Sequence, residues 1–191
     1  AGNLMNSGGI TRRLFMLAER LTGFIPGSLA HASVVASCIF AWMTGSAVAE
    51  AGGLGLVEIK AMRENGFDPD FACAVTAASA IIGPIIPPSI PMVLYGAAAN
   101  VSVARLFLGG FIPGLLMAAS MMVYIYWVSR RRGFPQGKVP AWGELWRVFR
   151  GAFLALCSPV ILLGGIFTGI VTPTEASILA VVYALIIILA V

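Results

Sequence analysis

Long stretches without any charged residue constrain this chain more than any other feature of its sequence. Asp, Glu, Lys and Arg are absent from 21–49, 71–104, 106–129, 151–174 and 176–191. Each of the first four stretches is long enough for the roughly 20 apolar residues that cross a bilayer as a helix. Charged residues make up 10% of the chain, against about 25% in soluble domains. The sequence therefore predicts an all-α polytopic membrane protein that lies in a lipid bilayer.

The basic residues lie between the apolar stretches, so the net charge of +4 indicates membrane topology and no nucleic-acid partner.

Cys38, Cys73 and Cys157 are far apart in apolar segments and are predicted to be reduced thiols. His31 is the only histidine, which argues against a His-based metal site, and no cofactor is expected. Because the chain starts without Met and stops in an apolar stretch, we expect an internal part of a longer membrane protein.

Two amphipathic helices are predicted to lie flat in the membrane interface. The first covers Thr11 to Thr22 in an arm at 1–27, with apolar residues at helical spacing on one face and Arg12, Arg13, Glu19 and Arg20 on the other. The second covers Trp142 to Phe153 and follows a cytoplasmic linker, the two making up 133–150. The alternative for both is a solvated linker helix.

The segment 28–64 is predicted to be a re-entrant helical hairpin. Its first apolar arm, Leu29–Met43, would be about 22 Å long, short of a hydrocarbon core of roughly 30 Å. A polar tip follows at Thr44-Gly45-Ser46, and the return is rich in glycine and carries Glu50 and Glu58. A polar tip at membrane depth must lie in protein or in a water-filled cavity.

The distribution of basic residues favours the hairpin over a single crossing. If the segment crossed once, the two faces would carry four and eight basic residues. If it returns to the face where it entered, the split is eleven against one, Arg105 being the exception. The positive-inside rule therefore places both ends of the hairpin in the cytoplasm.

The segment 65–105 is predicted to be a broken transmembrane helix that opens with an N-cap at Asp68 and a proline at Pro69. The uncharged part, 71–104, would be about 51 Å long as one helix. Four prolines, Pro84, Pro87, Pro88 and Pro91, interrupt it. Since proline has no N–H, they are predicted to free the carbonyls four residues earlier, which belong to Ala80, Gly83, Pro84 and Pro87.

The rest of the chain is predicted to be helical. A transmembrane helix at about Leu106 to Val128, within 106–132, is capped by Ser102. A further span reaches about Ile170 within 151–191. Thr172-Pro173-Thr174-Glu175 has the pattern of a capping box that opens the last helix.

The two breaks together predict a binding site. Unwound carbonyls and half-helix ends hold Na+ in secondary transporters, and helix N-termini attract anionic substrate groups. The tip adds the hydroxyl groups of Thr44 and Ser46 and the backbone around Gly45. Close in sequence, the two breaks could form one site.

Three motifs resemble the large membrane subunit of tripartite ATP-independent periplasmic (TRAP) transporters. They are Gly83-Pro84-Ile85-Ile86-Pro87-Pro88-Ser89-Ile90-Pro91-Met92, the tip Gly45-Ser46-Ala47-Val48-Ala49, and Thr172-Pro173-Thr174-Glu175-Ala176. The similarity extends to Ala1-Gly2-Asn3-Leu4-Met5-Asn6 and to the spacing along the whole chain. The family often has Ser-Gly-Ser-Ala-Val-Ala-Asp at the tip, where this chain has Thr44 and Glu50.

The resemblance implies an elevator-type secondary transporter of the ion-transporter superfamily, built from inverted repeats, in the bacterial inner membrane. It implies import of carboxylates such as C4-dicarboxylates, sialic acid or keto acids, coupled to Na+, with a periplasmic substrate-binding protein and a small membrane subunit. Residues 151–191 would begin the second repeat. The motif match assigns substrate and ion binding to Thr44, Gly45, Ser46, Ala47, Gly83, Pro84, Pro87, Pro88 and Ser89, with Na+ ligands among Ser46, Ala80, Gly83, Pro84, Pro87 and Ser89.

The sequence thus predicts a transporter and not an enzyme. Three other functions remain as alternatives. An intramembrane serine protease would use Ser46 as nucleophile, and its base could only be His31. A gated ion channel would conduct without any binding protein. A structural membrane subunit would need small residues for packing but has no use for clustered prolines.

Overall fold

The computed structural model describes residues 10–137, 142–172, 175–176, 178–179, 181–183 and 185. The regular elements with defined bounds in this part of the chain are all α-helices. They are α1 (Ile10–Thr22), α2 (Ser28–Thr44), α3 (Ala47–Gly53), α4 (Gly55–Glu64), α5 (Pro69–Ala80), α6 (Ile90–Ala99), α7 (Val103–Arg132) and α8 (Trp142–Phe167).

The two amphipathic segments pack against each other. Helix α1 contacts both α2 and α8, and its apolar face is buried at Leu14, Leu17 and Ala18. An ion pair of 3.3 Å joins Arg20 to Glu144 on the exposed side. The apolar face of α1 therefore packs against other helices of the chain.

Helix α8 differs from the prediction, because it is one uninterrupted helix from Trp142 to Phe167. The sequence predicted an interfacial helix up to about 150 and a separate span beyond it. Gly151 is tolerated within the helix, and Pro159 is the first proline after Trp142. A change from an amphipathic to an apolar pattern does not by itself interrupt backbone hydrogen bonding, so the helix continues.

The hairpin segment has the break that the sequence predicts, between α2 and α3. Its return arm is almost one helix, because Leu54 joins α3 to α4. The Leu54 N–H donates to Glu50 O at 2.9 Å, and the Glu58 N–H donates to Leu54 O at 3.1 Å. Residues 50, 54, 58 and 62 consequently lie on one face, four residues apart.

Both ends of the hairpin segment lie against the C-terminal end of α7. Before the hairpin, the Gly27 N–H donates to Pro135 O at 3.1 Å. After it, Asp68 pairs with Arg132 at 3.2 Å. The two ends of 28–64 are thus at the same end of the molecule, which is the geometry that a re-entrant segment requires.

Helix α7 is the one described helix whose length and composition would allow it to cross a membrane. It has 30 residues and is about 45 Å long, so it extends beyond the predicted 106–128 at both ends. Ser102 caps its start, as predicted, by accepting from the Arg105 N–H at 3.5 Å. At its other end, the Arg131 guanidinium lies 3.9 Å from the centroid of the Trp127 ring, an arrangement typical of a membrane–water interface.

The main core lies where α2 meets α1, α5 and α7. Its fully buried side chains include Phe40, Leu54, Ile82, Ile86 and Ile125. Two of these, Ile82 and Ile86, belong to the loop between α5 and α6, so the loop is held by its own apolar residues. A second cluster around Phe107, Leu162 and Ile166 joins α7 to α8.

The capping box near the end of the chain has the predicted geometry at its two outer residues. The Glu175 carboxylate accepts from the Thr172 N–H at 2.7 Å, and Thr172 Oγ1 accepts from the Glu175 N–H at 3.3 Å. Pro173 and Thr174 lie outside the described residues, as do 1–9, 138–141 and most of the predicted last helix.

Candidate functional site

The tip of the hairpin is a tight turn between two helices. Gly45 has φ 58°, in the left-handed region, and its N–H donates to Ala41 O at 3.1 Å to end α2. Ser46 then turns the chain into α3, and its hydroxyl accepts from the Ala49 N–H at 3.4 Å. A glycine followed by a serine therefore ends one helix and caps the next.

The loop between α5 and α6 is a series of turns that the prolines prevent from becoming a helix. The Gly83 N–H donates to Ala80 O at 3.1 Å, and the Ile85 N–H donates to Ile82 O at 3.0 Å. Ser89 closes the loop, since its hydroxyl donates to Pro84 O and accepts from the Met92 N–H at 3.3 Å. Ser89 is 1% exposed.

The structure brings the tip and the loop into contact. The Ile90 N–H donates to Gly45 O at 3.4 Å. A Cβ on Gly45 would lie 2.3 Å from Pro88 O, and one on Gly83 would lie 3.6 Å from the Ser46 carbonyl carbon. Gly45 therefore needs to be glycine both for its positive φ and for the close approach of the loop. The predicted site residues of the two breaks lie side by side.

The carbonyls of the loop are only partly as predicted. Ala80 O and Pro84 O accept hydrogen bonds from Gly83 and Ser89, so the prediction that they are free is wrong, although each oxygen keeps a second lone pair. The short turns restored by Gly83 and Ser89 are the physical reason. Within 10–137, no hydrogen bond reaches the carbonyls of Gly83 and Pro87.

The remaining predicted residues have these environments. The Thr44 hydroxyl donates to Phe40 O at 3.3 Å within its own helix, which leaves the oxygen lone pairs available. Ala47 begins α3 and contributes backbone only. Pro88 contributes its carbonyl at the contact with Gly45.

Glu50 lies at the site, although the sequence did not place it among the predicted site residues. It is 2% exposed, and its Oε2 would lie 2.7 Å from a Cβ on Gly83, so a carboxyl group adjoins the loop. The Ser37 hydroxyl lies beside this carboxyl group, but neither carboxyl oxygen makes a hydrogen bond of acceptable length and angle within the described residues. Its position four residues after the Ser46 cap was the available signal, because that spacing directs a side chain to the same face as the cap.

The protease alternative does not fit this geometry. His31 lies near the start of α2 and Ser46 follows its end, so about 22 Å of helix separates the two residues. A nucleophile and its base must be within hydrogen-bond reach. Ser46 instead caps α3.

An all-helical fold with two apposed helix breaks is consistent with a membrane permease. The profile of the family described as "Tripartite ATP-independent periplasmic transporter, DctM component" matches residues 1–191. The chain belongs to this family. Its relatives that carry a functional name are transporter permeases and not enzymes.

Individual relatives differ in the substrate for which they are named. The sialic acid TRAP transporter large permease protein SiaM of Vibrio cholerae is 50% identical over 96% of this chain and 43% of its own length. The C4-dicarboxylate TRAP transporter large permease protein DctM of the same organism is 41% identical over 96% and 41%. The 2,3-diketo-L-gulonate protein YiaN of Escherichia coli is 37% identical over 97% and 44%. The chain spans less than half the length of these relatives.

Proposed function

We propose that this chain is part of a multi-pass permease of the bacterial inner membrane that imports carboxylated organic solutes by coupling them to Na+. The observation that carries the proposal is the contact between the hairpin tip and the proline-rich loop. Two helix breaks bring backbone and hydroxyl oxygens together at one place, within an otherwise apolar chain. Oxygens without hydrogen-bond partners are costly in a membrane unless a ligand uses them.

The cation would be held by oxygen ligands from both breaks. The free carbonyls of Gly83 and Pro87 and the lone pairs of Ser46 and Ser89 are of the kind that coordinates Na+ in secondary transporters. Glu50, when ionised beside a bound cation, would add a negative charge next to Gly83 and lower the free energy of that cation. Ala80 and Pro84 could contribute the second lone pairs of their carbonyls.

The substrate carboxylate would lie beside the cation, at the N-terminus of α6. That end of the helix carries a partial positive charge, and because the Ile90 and Met92 N–H groups already donate to Gly45 O and Ser89 Oγ, this charge is what would attract the substrate. Relatives are named for sialic acid, C4-dicarboxylate and diketogulonate transport, and all three are carboxylates. We therefore propose a carboxylate substrate, without choosing among these.

The transport cycle is proposed to be of the elevator type. The hairpin and the broken helix would move together, since α4 packs on α5 and the Gly45–Ile90 hydrogen bond joins their breaks. A periplasmic substrate-binding protein would deliver the substrate, and a small membrane subunit would complete the complex. Membership of a tripartite transporter family supports the proposal of these two partners.

The test is uptake by the complete complex in proteoliposomes. Sialic acid, a C4-dicarboxylate and a keto acid are supplied as labelled substrates, with and without a Na+ gradient and with and without the binding protein. We expect uptake of one of them to require both. Uptake that continues without Na+ or without the binding protein contradicts the proposal, and ion currents without any binding protein would indicate a channel.

A further inference from the structure

A second buried carboxylate, Glu58, lies on the return arm of the hairpin. Glu50, Leu54, Glu58 and Met62 form one stripe at intervals of four residues, and all four are buried. Glu58 is 1% exposed. Eight residues separate the two glutamates, which corresponds to about 12 Å along the helix. Glu58 is therefore not a ligand of the site formed by the tip and the loop.

Hydroxyl groups from two other helices adjoin Glu58. Ser33 of α2 and Thr76 of α5 are the side chains beside its carboxyl group, and they are 0% and 4% exposed. Helix α4 approaches α5 closely here, since a Cβ on Gly55 would lie 2.9 Å from Thr76 Cγ2. Three helices therefore contribute oxygen atoms to one buried place.

These oxygens lack the partners that such groups normally have. Glu58 Oε1, Ser33 Oγ and Thr76 Oγ1 make no hydrogen bond of acceptable length and angle within the described residues. Threonine in a helix commonly donates to the carbonyl four residues earlier, and Thr22 does so at 2.9 Å. Thr76 does not, and its hydroxyl lies instead beside the Glu58 carboxyl group, where weakly bonded buried polar groups are costly unless a ligand joins them.

Within the described residues, no basic side chain forms an ion pair with Glu58. The ion pairs between described residues are Arg20–Glu144, Lys60–Glu64 and Arg132–Asp68, and none of them includes either buried glutamate. A buried carboxyl group stays ionised only beside a counter-charge. One carboxylate is balanced by one monovalent cation, whereas a divalent cation would leave a net positive charge in the same apolar surroundings.

The donor set also selects the kind of cation. Oxygen ligands suit hard cations, and transition metals prefer imidazole or thiolate ligands. In the part of the chain that the structure describes, no group of three His, Cys, Asp or Glu residues could hold a metal ion. We infer that Glu58, Ser33 and Thr76 form a second Na+ site, separate from the site at the tip and the loop. Its part in coupling rests on the function proposed above.

The experiment counts the sodium ions bound by the purified complete transporter, by equilibrium binding of radioactive sodium in detergent. We expect Glu58→Gln to bind one ion fewer per complex than the wild type, because the amide keeps the shape and removes the charge. We expect Thr76→Val, which is nearly isosteric, to raise the Na+ concentration for half-saturation of that ion by about 3- to 10-fold. Each variant is first checked for an intact complex by size-exclusion chromatography.

Glu64→Gln is the matched control, because Glu64 is exposed on the same helix and pairs with Lys60. It should bind as many ions as the wild type. If Glu58→Gln and Thr76→Val both bind sodium like the wild type, the site is refuted, and a proton is then the counter-charge, since glutamine mimics a protonated carboxyl. If the Glu58→Gln variant loses a bound Ca²⁺ and keeps all of its bound Na+, the Na+ site is equally refuted. Failure of Na+-dependent uptake in the wild type would instead refute the proposed function.

Discussion

Ser46 and Ser89 each cap a helix and are each proposed as ligands of Na+. Each hydroxyl accepts from an N–H of the helix that follows, at Ala49 and at Met92. Ser89 also donates its proton to Pro84 O. The Ser89 proton is therefore engaged, and each serine oxygen has one lone pair left for a cation.

Removing either hydroxyl should weaken Na+ binding. We expect Ser46→Ala and Ser89→Ala each to raise the Na+ concentration for half-maximal uptake by about 3- to 10-fold, the value of one ligand of ordinary strength. Uptake is measured over a range of Na+ concentrations at saturating substrate. Ser120→Ala is the control, because Ser120 is exposed on α7 and donates to Met117 O at 2.8 Å. An unchanged Na+ dependence in both variants would exclude the hydroxyls as ligands.

Individual residues differ in how far the sequence could define their roles. Gly45 was predictable as a break, because few other residues end a helix in the left-handed region. The burial of Glu58 was not predictable. The apolar face of the return arm includes two carboxylates, so its periodicity does not show which side faces the protein, and Ser33 and Thr76 are distant in sequence.

At the level of elements, the proline-rich loop packs against a face of α7 that lacks side chains. A Cβ on Gly110 would lie 2.5 Å from Ile85 O and 2.6 Å from Met92 Cε. Gly114, one turn further along, faces Ile86 in the same way. Small residues of this kind allow close approach of helices in membranes, and here they accommodate the loop that carries the proposed site.

A larger side chain in this face should displace the loop. We expect Gly110→Val to destabilise the protein by about 1–3 kcal/mol, the usual cost of overpacking, because its contact at Ile85 is with backbone that cannot rotate away. Thermal unfolding of the purified complex measures the change. Gly109→Val is the matched control, since a Cβ at that position meets nothing within 4 Å. Equal stability of the two variants would contradict the packing described.

The positions of the helix breaks could be predicted, whereas the continuity of α8 could not. Gly45, the four prolines and the capping serines act through local backbone chemistry that any environment preserves. No proline lies between Trp142 and Phe153, and Gly143 and Gly151 do not interrupt the helix, so only the side-chain pattern changes there. The turns that occupy Ala80 O and Pro84 O were missed because proline rules describe helices and not the tighter turns that replace them.

At the scale of the whole molecule, the two ends of the hairpin segment lie beside the C-terminal end of α7. Gln136 donates to Phe24 O, and Arg132 pairs with Asp68. That surface ion pair contributes little stability, but it shows that the chain following the hairpin segment lies beside the C-terminal end of α7. Val101, between α6 and α7, lies at the other end of the long helix.

This arrangement predicts which residues share a face of the membrane. In a background without the three native cysteines, Phe24→Cys and Glu64→Cys should react with a membrane-impermeant maleimide only after cells are permeabilised. Val101→Cys should react in intact cells. The reason is the positive-inside rule, since Arg130, Arg131 and Arg132 end α7 on the side of Phe24 and Glu64. Labelling of Phe24→Cys and Glu64→Cys from opposite faces would exclude a re-entrant hairpin.

The four prolines of the loop also determine how its motion can be observed. Amide hydrogen exchange reports on backbone opening only where an N–H exists, and Pro84, Pro87, Pro88 and Pro91 have none. Half of the eight residues from Pro84 to Pro91 are therefore silent in such an experiment, however much they move. Isotope-edited infrared spectroscopy of the Gly83 and Pro87 carbonyls would follow the same backbone through the atoms that remain, and a bound cation would shift their stretching frequency.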